Sequence, residues 1–153
     1  MRNPHGISIF CDDIREEKSG KLIYVGVYAG TLAVLDEKYP LQLPQISIAV
    51  HTLIPSDYVA EQTQFTLKVY LSENNEEPGF LVLERPPVNV NFDGNTETYI
   101  HYNFRIRLPQ IVIRQESRLK VRGYFSDGSE IKLGVLNVKA NVARKGDKKA
   151  GSK

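Results

Sequence analysis

Apolar and polar residues alternate with a period of two along most of this 153-residue chain, and no window sustains a helical period over three turns. From Thr63 to Leu71, Phe65, Leu67, Val69 and Leu71 fall on one face, and Gln64, Thr66, Lys68 and Tyr70 fall on the other. Tyr99 to Leu108 repeats the pattern, with Ile100, Tyr102, Phe104, Ile106 and Leu108 opposite Tyr99, His101, Asn103, Arg105 and Arg107. Ile46, Ile48 and Val50 form a shorter version that leaves His51 facing outward. Each run reads as a half-buried strand. The chain opens in the same way. Ile7, Ile9 and Cys11 mark the apolar face of a first strand, an acidic loop follows, and Leu22 to Tyr28 supplies a second strand.

Turn chemistry separates the runs. Ser19-Gly20, Asp93-Gly94-Asn95 and Ser126-Asp127-Gly128-Ser129 are tight-turn signatures, and seven prolines from Pro40 to Pro109 punctuate the connections. The Ser126–Ser129 turn predicts a hairpin, with Leu119, Val121 and Phe125 before it and Ile131 and Leu133 after it. Beyond Gly134 the apolar phase moves to Leu136 and Val138, so Gly134 is expected to break the ladder as a bulge or to take a positive φ. Pro55 to Gln62 has room for one helical turn capped by Ser56 or Asp57. Roughly eight to ten short strands predict an all-β, antiparallel two-sheet sandwich of Greek-key, immunoglobulin-like or C2-like form, with a partly closed barrel as the alternative. Residues 1–142 are expected to form one domain, and 143–153 a disordered basic tail.

Composition narrows the setting. A hydrophobic fraction of 41% and a charged fraction of 25% fit a soluble domain with its own core. The single cysteine, Cys11, leaves no intrachain disulfide, and no apolar run approaches the length of a membrane helix or a secretory signal, so a cytoplasmic protein is expected. Net charge is only +2, yet residues 1–76 carry 6 Lys and Arg against 10 Asp and Glu, whereas residues 77–153 carry 14 against 8. The second half is the cationic one.

The candidate chemistry is sparse. Asp12 and Asp13, adjacent at the end of the first strand, are the arrangement a calcium loop would use, although a hard cation needs six or more oxygens and no second acidic cluster stands at diagnostic spacing. The bland alternative is a solvated acidic turn. His5, His51 and His101 are scattered, and His51 and His101 meet on one face only if their strands pair. Cys11 reads as a small buried hydrophobe, since a reactive thiolate wants an electropositive, exposed setting. No catalytic or phosphate-loop motif occurs, so no enzyme activity and no cofactor are expected. The cations offer more: Arg105 and Arg107 share one outward strand face, and Arg118, Lys120 and Arg122 share the next. If those strands are antiparallel neighbours, five like charges form a patch that needs a counter-anion, flanked by Tyr99 and Tyr124. Acidic neighbours such as Glu130 and Glu97 would instead neutralise it.

The block Cys11-Asp12-Asp13-Ile14-Arg15, followed by Gly20-Lys21-Leu22 and Val25-Gly26-Val27-Tyr28, resembles an uncharacterised family of small β proteins from bacteria and their phages. Leu41-Gln42-Leu43-Pro44 and the Gly123-Tyr124 hairpin extend the resemblance over most of the folded part. It implies a bacterial or phage cytoplasmic β domain and brings no established activity. Three functions follow in order of preference. The first is a non-enzymatic protein-interaction module, such as an inhibitor or adaptor of a host protein. The second is nucleic-acid or polyanion binding through the basic strands, and the third is a metal-dependent binding domain or hydrolase built on Asp12 and Asp13. An exposed outer strand also allows edge-to-edge oligomers.

Overall fold

The alternating runs become the inner and outer faces of two stacked sheets. The computed structural model describes residues 2–34, 38–58, 63–90 and 98–140. Within them lie strands β1 (His5–Glu16), β2 (Leu22–Val27), β3 (Thr31–Val34), β4 (Leu41–Gln42), β5 (Ser47–Pro55), β6 (Thr63–Glu73), β7 (Phe80–Glu84), β8 (Val88–Val90), β9 (Tyr99–Arg107), β10 (Val112–Ile113), β11 (Ser117–Phe125) and β12 (Glu130–Ala140). One sheet has the order β2-β1-β5-β9. The other runs β3-β12-β11-β6-β7, with β8 also pairing β6, and β4 and β10 form a small separate ladder. The ladders are antiparallel except for β12 with β3, which is parallel. Among the described residues the sheets pack as a sandwich and no barrel closes. Among the described residues there is no helix, hence none long and apolar enough to cross a membrane.

The core lies where the alternation places it. Phe65, Leu67 and Val69 of β6, Leu119 and Val121 of β11, and Leu136 and Val138 of β12 meet Phe10, Ile48, Val50, Ile54 and Ile106 of the opposite sheet. The Phe65 ring sits 5.8 Å from that of Phe104 across the sandwich and 5.2 Å from that of Phe125 beside it. Emptying such a site costs about 3–5 kcal/mol, so Phe65 is a principal fastener of the two layers.

The β11–β12 hairpin forms at the expected turn. The Asp127 carboxylate accepts hydrogen bonds from Ser129 N at 2.9 Å and Ser129 Oγ at 2.6 Å, and these bonds hold it below the usual carboxylate range. The phase slip is a bulge: Val121 pairs with Gly134 but Arg122 pairs with Lys132, leaving Leu133 as the extra residue, and Gly134 does this without a positive φ. The bulge lets Leu133 and Leu136 both point into the core. Segment 56–58 is a turn closed by Tyr58 N donating to Pro55 O at 3.0 Å; the rest of the expected helical turn, the 93–95 turn, Glu97 and the basic tail lie outside the described residues.

The first strand departs from expectation. Ile7 is 60% exposed and Ile9 is half-buried, because the inner face of β1 carries Gly6, Ser8 and Phe10 instead. A Cβ on Gly6 would stand 2.7 Å from Leu133 Cδ2, and one on Gly134 would stand 2.8 Å from Ser8 Cβ. The close crossing of β1 and β12 therefore selects small residues, which carry no hydropathy signal. Cys11 is fully buried all the same, on the outer face, with its thiol donating to Ser47 O at 3.6 Å. Asp12 and Asp13 lie within β1, which continues to Glu16 and pairs with β2. Replacing Gly134 with Ala should destabilise the fold by about 1–3 kcal/mol through this forced contact. An unchanged urea midpoint for Gly134→Ala would show that the crossing has slack.

Candidate functional site

β11 is the central strand of the larger sheet, and its alternation has two consequences. Leu119 and Val121 enter the core, which obliges Arg118, Lys120 and Arg122 to line the opposite face. On that face Arg122 is flanked across the ladders by Lys132 of β12 and Lys68 of β6. Three cations thus stand side by side across three strands, an arrangement that costs stability unless an anion lies among them. Lys120 and Arg122 are nevertheless buried, with side chains only 5% and 3% exposed.

The anion arrives from the connection between β6 and β7. Asn74 and Asn75 adopt φ of 51° and 61°, and the segment folds back over the sheet so that Ser72 Oγ donates to Glu76 O at 2.6 Å. Lys120 Nζ donates to Glu76 O at 2.8 Å and to Glu77 Oε2 at 2.7 Å, while Arg122 Nη2 donates to Glu77 Oε1 at 3.1 Å. Hydrogen bonds from Lys120 and then Arg122 hold the Glu77 carboxyl down to about 2. Arg122 Nη1 donates to its neighbour Val121 O at 3.2 Å. Arg122 Nε lies 3.4 Å from Glu130 Oε1, an ion pair without hydrogen-bond geometry, and so remains a buried donor with no acceptor. Lys68 pairs with Glu84 at 3.4 Å and stands 5.4 Å above the Tyr124 ring. Burial, with hydrogen bonding to Tyr70 and Glu130, pushes the Tyr124 hydroxyl far above the ordinary phenol range.

The expected five-cation patch is therefore divided between the sheets. β9 pairs β5, and β11 lies between β12 and β6, so Arg105 and Arg107 are not neighbours of Arg118, Lys120 and Arg122. Arg105 Nη1 meets Glu16 Oε2 at 2.6 Å and Arg107 Nη2 meets Asp13 Oδ1 at 3.4 Å. Arg118 stays exposed and has no ion-pair partner among the described residues. Lys68, Lys132 and Glu77 take the place of the β9 arginines beside β11. They escaped the sequence reading because they sit on strands and a loop whose neighbours only the sheet order reveals.

Asp12 and Asp13 are committed to different partners. Asp12 accepts a hydrogen bond from the Tyr28 hydroxyl, and its carboxylate occupies the space a Cβ on Gly26 would need. Asp13 is held low first by its hydrogen bond from Arg15, at 3.1 Å, with help from the Ile14 amide and Arg107. Burial, reinforced by these two carboxylates, pushes the Cys11 thiol up. Among the described residues no three His, Cys, Asp or Glu side chains converge as a metal site. β5 and β9 do pair, which puts His51 and His101 on one face, with His51 opposite Asn103 and His101 opposite Leu53. His51 Nδ1 lies 2.8 Å from Asn103 Oδ1 and Nε2 lies 3.1 Å from the Tyr24 hydroxyl, so each ring nitrogen has a partner in its own sheet.

A second feature begins where the Glu77 loop ends. Phe80, opposite Leu71, is 73% exposed. It lines a groove of about 390 Å³ with Leu71, Val112, Glu73, Glu76 and Arg114. Val112 is itself 56% exposed. β7 ends the order of its sheet, and its sequence from Phe80 to Glu84 contains no lysine, arginine or proline; its guards against edge pairing are Glu84 and the register shift that leaves Val82 as an extra residue. Comparison with protein-family models, curated proteins and solved structures yields no match.

Glu77 makes a testable contribution to acid stability. Its folded value of about 2 lies below its ordinary value of 4.5, so the stabilisation is fully present above about pH 4.5 and is lost as pH falls toward 2. The melting temperatures of the wild type and Glu77→Gln should differ at neutral pH and converge across that window. A gap independent of pH would place the effect elsewhere.

Proposed function

We propose that the protein is a non-enzymatic interaction module that takes an extended segment of a protein partner along β7, with an apolar side chain of that segment seated in the groove beside Phe80. The exposure of Phe80, 73% at the start of an edge strand, carries this reading. Edge strands recruit extended segments through backbone hydrogen bonds, and adjacent pockets select the side chains. The groove rim sets Glu73 and Glu76 against Arg114, so the fitting segment brings a cation next to its apolar anchor. A bacterial or phage protein working in the cytoplasm, as an inhibitor or adaptor of a host protein, is the setting that the sequence resemblance supports.

Affinity capture from a bacterial lysate, read by mass spectrometry, tests this with two variants. Phe80→Asp should lose a partner that the wild type retains, because truncating a central aromatic anchor typically costs about 2 kcal/mol or more, at least a tenfold loss of affinity. Ile7→Asp, at an exposed apolar residue on the other sheet, should retain it. Equal retention by Phe80→Asp, or loss only with Ile7→Asp, would sink the assignment to β7.

A further inference from the structure

We propose that Lys68, Lys120, Arg122 and Lys132 form a site for a tetrahedral oxyanion of the phosphate class, and that the Glu77 carboxylate occupies it as an internal substitute while the anion is absent. The proposal is independent of the groove at Phe80.

Three observations carry it. Lys132 and Lys68 flank Arg122 from either side across β12, β11 and β6, a row of like charges that an anion on this face stabilises. The buried Arg122 guanidinium is under-satisfied: one of its bonds goes to its neighbour's carbonyl, one goes to Glu77, and Nε has no acceptor. The Glu77 oxygens are placed on Lys120 Nζ and Arg122 Nη2 and neither bonds to Nε, whereas a tetrahedral anion brings further oxygens to the same place. The third observation concerns charge. With Glu77 withdrawn, the four cations face the two carboxylates Glu84 and Glu130, an excess of two that matches a phosphate dianion.

The occupying carboxylate is also the one that can leave. Glu77 is 56% exposed and sits on a connection outside the sheet, so its withdrawal breaks no ladder, whereas Lys120 and Arg122 are fixed in the central strand. The cover over Lys120 and Arg122 suits a terminal phosphoryl group better than the repeated phosphodiesters of a nucleic acid.

Calorimetry of the full chain with inorganic phosphate, at constant ionic strength, tests the site. Glu77→Gln should bind phosphate at least tenfold more tightly than the wild type, and Glu77→Gln combined with Arg122→Met should lose that binding. Phenyl phosphate as a second probe separates the sources: binding of both anions points to a phosphomonoester on a larger ligand, and binding of phosphate alone points to the free ion. Because Glu77→Gln leaves two buried cations less well paired, hydrogen exchange of the wild type provides an independent reading. Phosphate should speed exchange at the 74–79 amides and leave the β11 amides unchanged. No phosphate binding by a folded Glu77→Gln chain, or no phosphate effect on wild-type loop exchange, would overturn the proposal.

Discussion

The architecture turns on the two faces of β11. The strand lies in the middle of the larger sheet, and the residues that fasten the sandwich, Leu119 and Val121, alternate with Lys120 and Arg122. A strand cannot bury the first pair without holding the second pair in fixed positions on the other face. Taking two charges out of water is expensive unless counter-charges come with them. The loop from β6 to β7 meets that requirement with its own polar groups. Ser72 anchors the loop, Glu76 lends it a carbonyl, and Glu77 spans both cations.

The same loop joins the charge cluster to the apolar groove. The backbone oxygen of Glu76 accepts from Lys120 on one side, while the residue also lines the cavity with Phe80. The two surfaces differ in chemistry, one cationic and the other apolar, and both border the six-residue connection 74–79.

Most of the sandwich was legible because its strands obey a simple period. Phe65, Leu67, Val69 and Leu71 are buried where alternation puts them, and the hairpin at Ser126–Ser129 and the bulge at Gly134 follow from turn chemistry and a phase slip. β1 misled because its inner face is Gly6, Ser8 and Phe10, small where β12 crosses, so the outer face looks the more hydrophobic. The site was half legible. The cations of β11 are visible as an outward row, but their companions depend on strand order, which period-two patterns do not encode. Arg105 and Arg107 belong to the long alternating run that precedes β11 and yet lie in the other sheet, paired with Glu16 and Asp13. Glu77 gave no signal, because a carboxylate in a turn looks solvated until the turn folds back.

The central claim, that Glu77 is held over the sheet to neutralise Lys120 and Arg122, is tested most directly by a double-mutant cycle in stability. Glu77→Gln is measured once in the wild type and once in a background where Lys120 and Arg122 are both methionine, which keeps side-chain length and removes the charge. The account predicts a clear loss of stability in the wild type and little or none in the methionine background. The same loss in both backgrounds would contradict it.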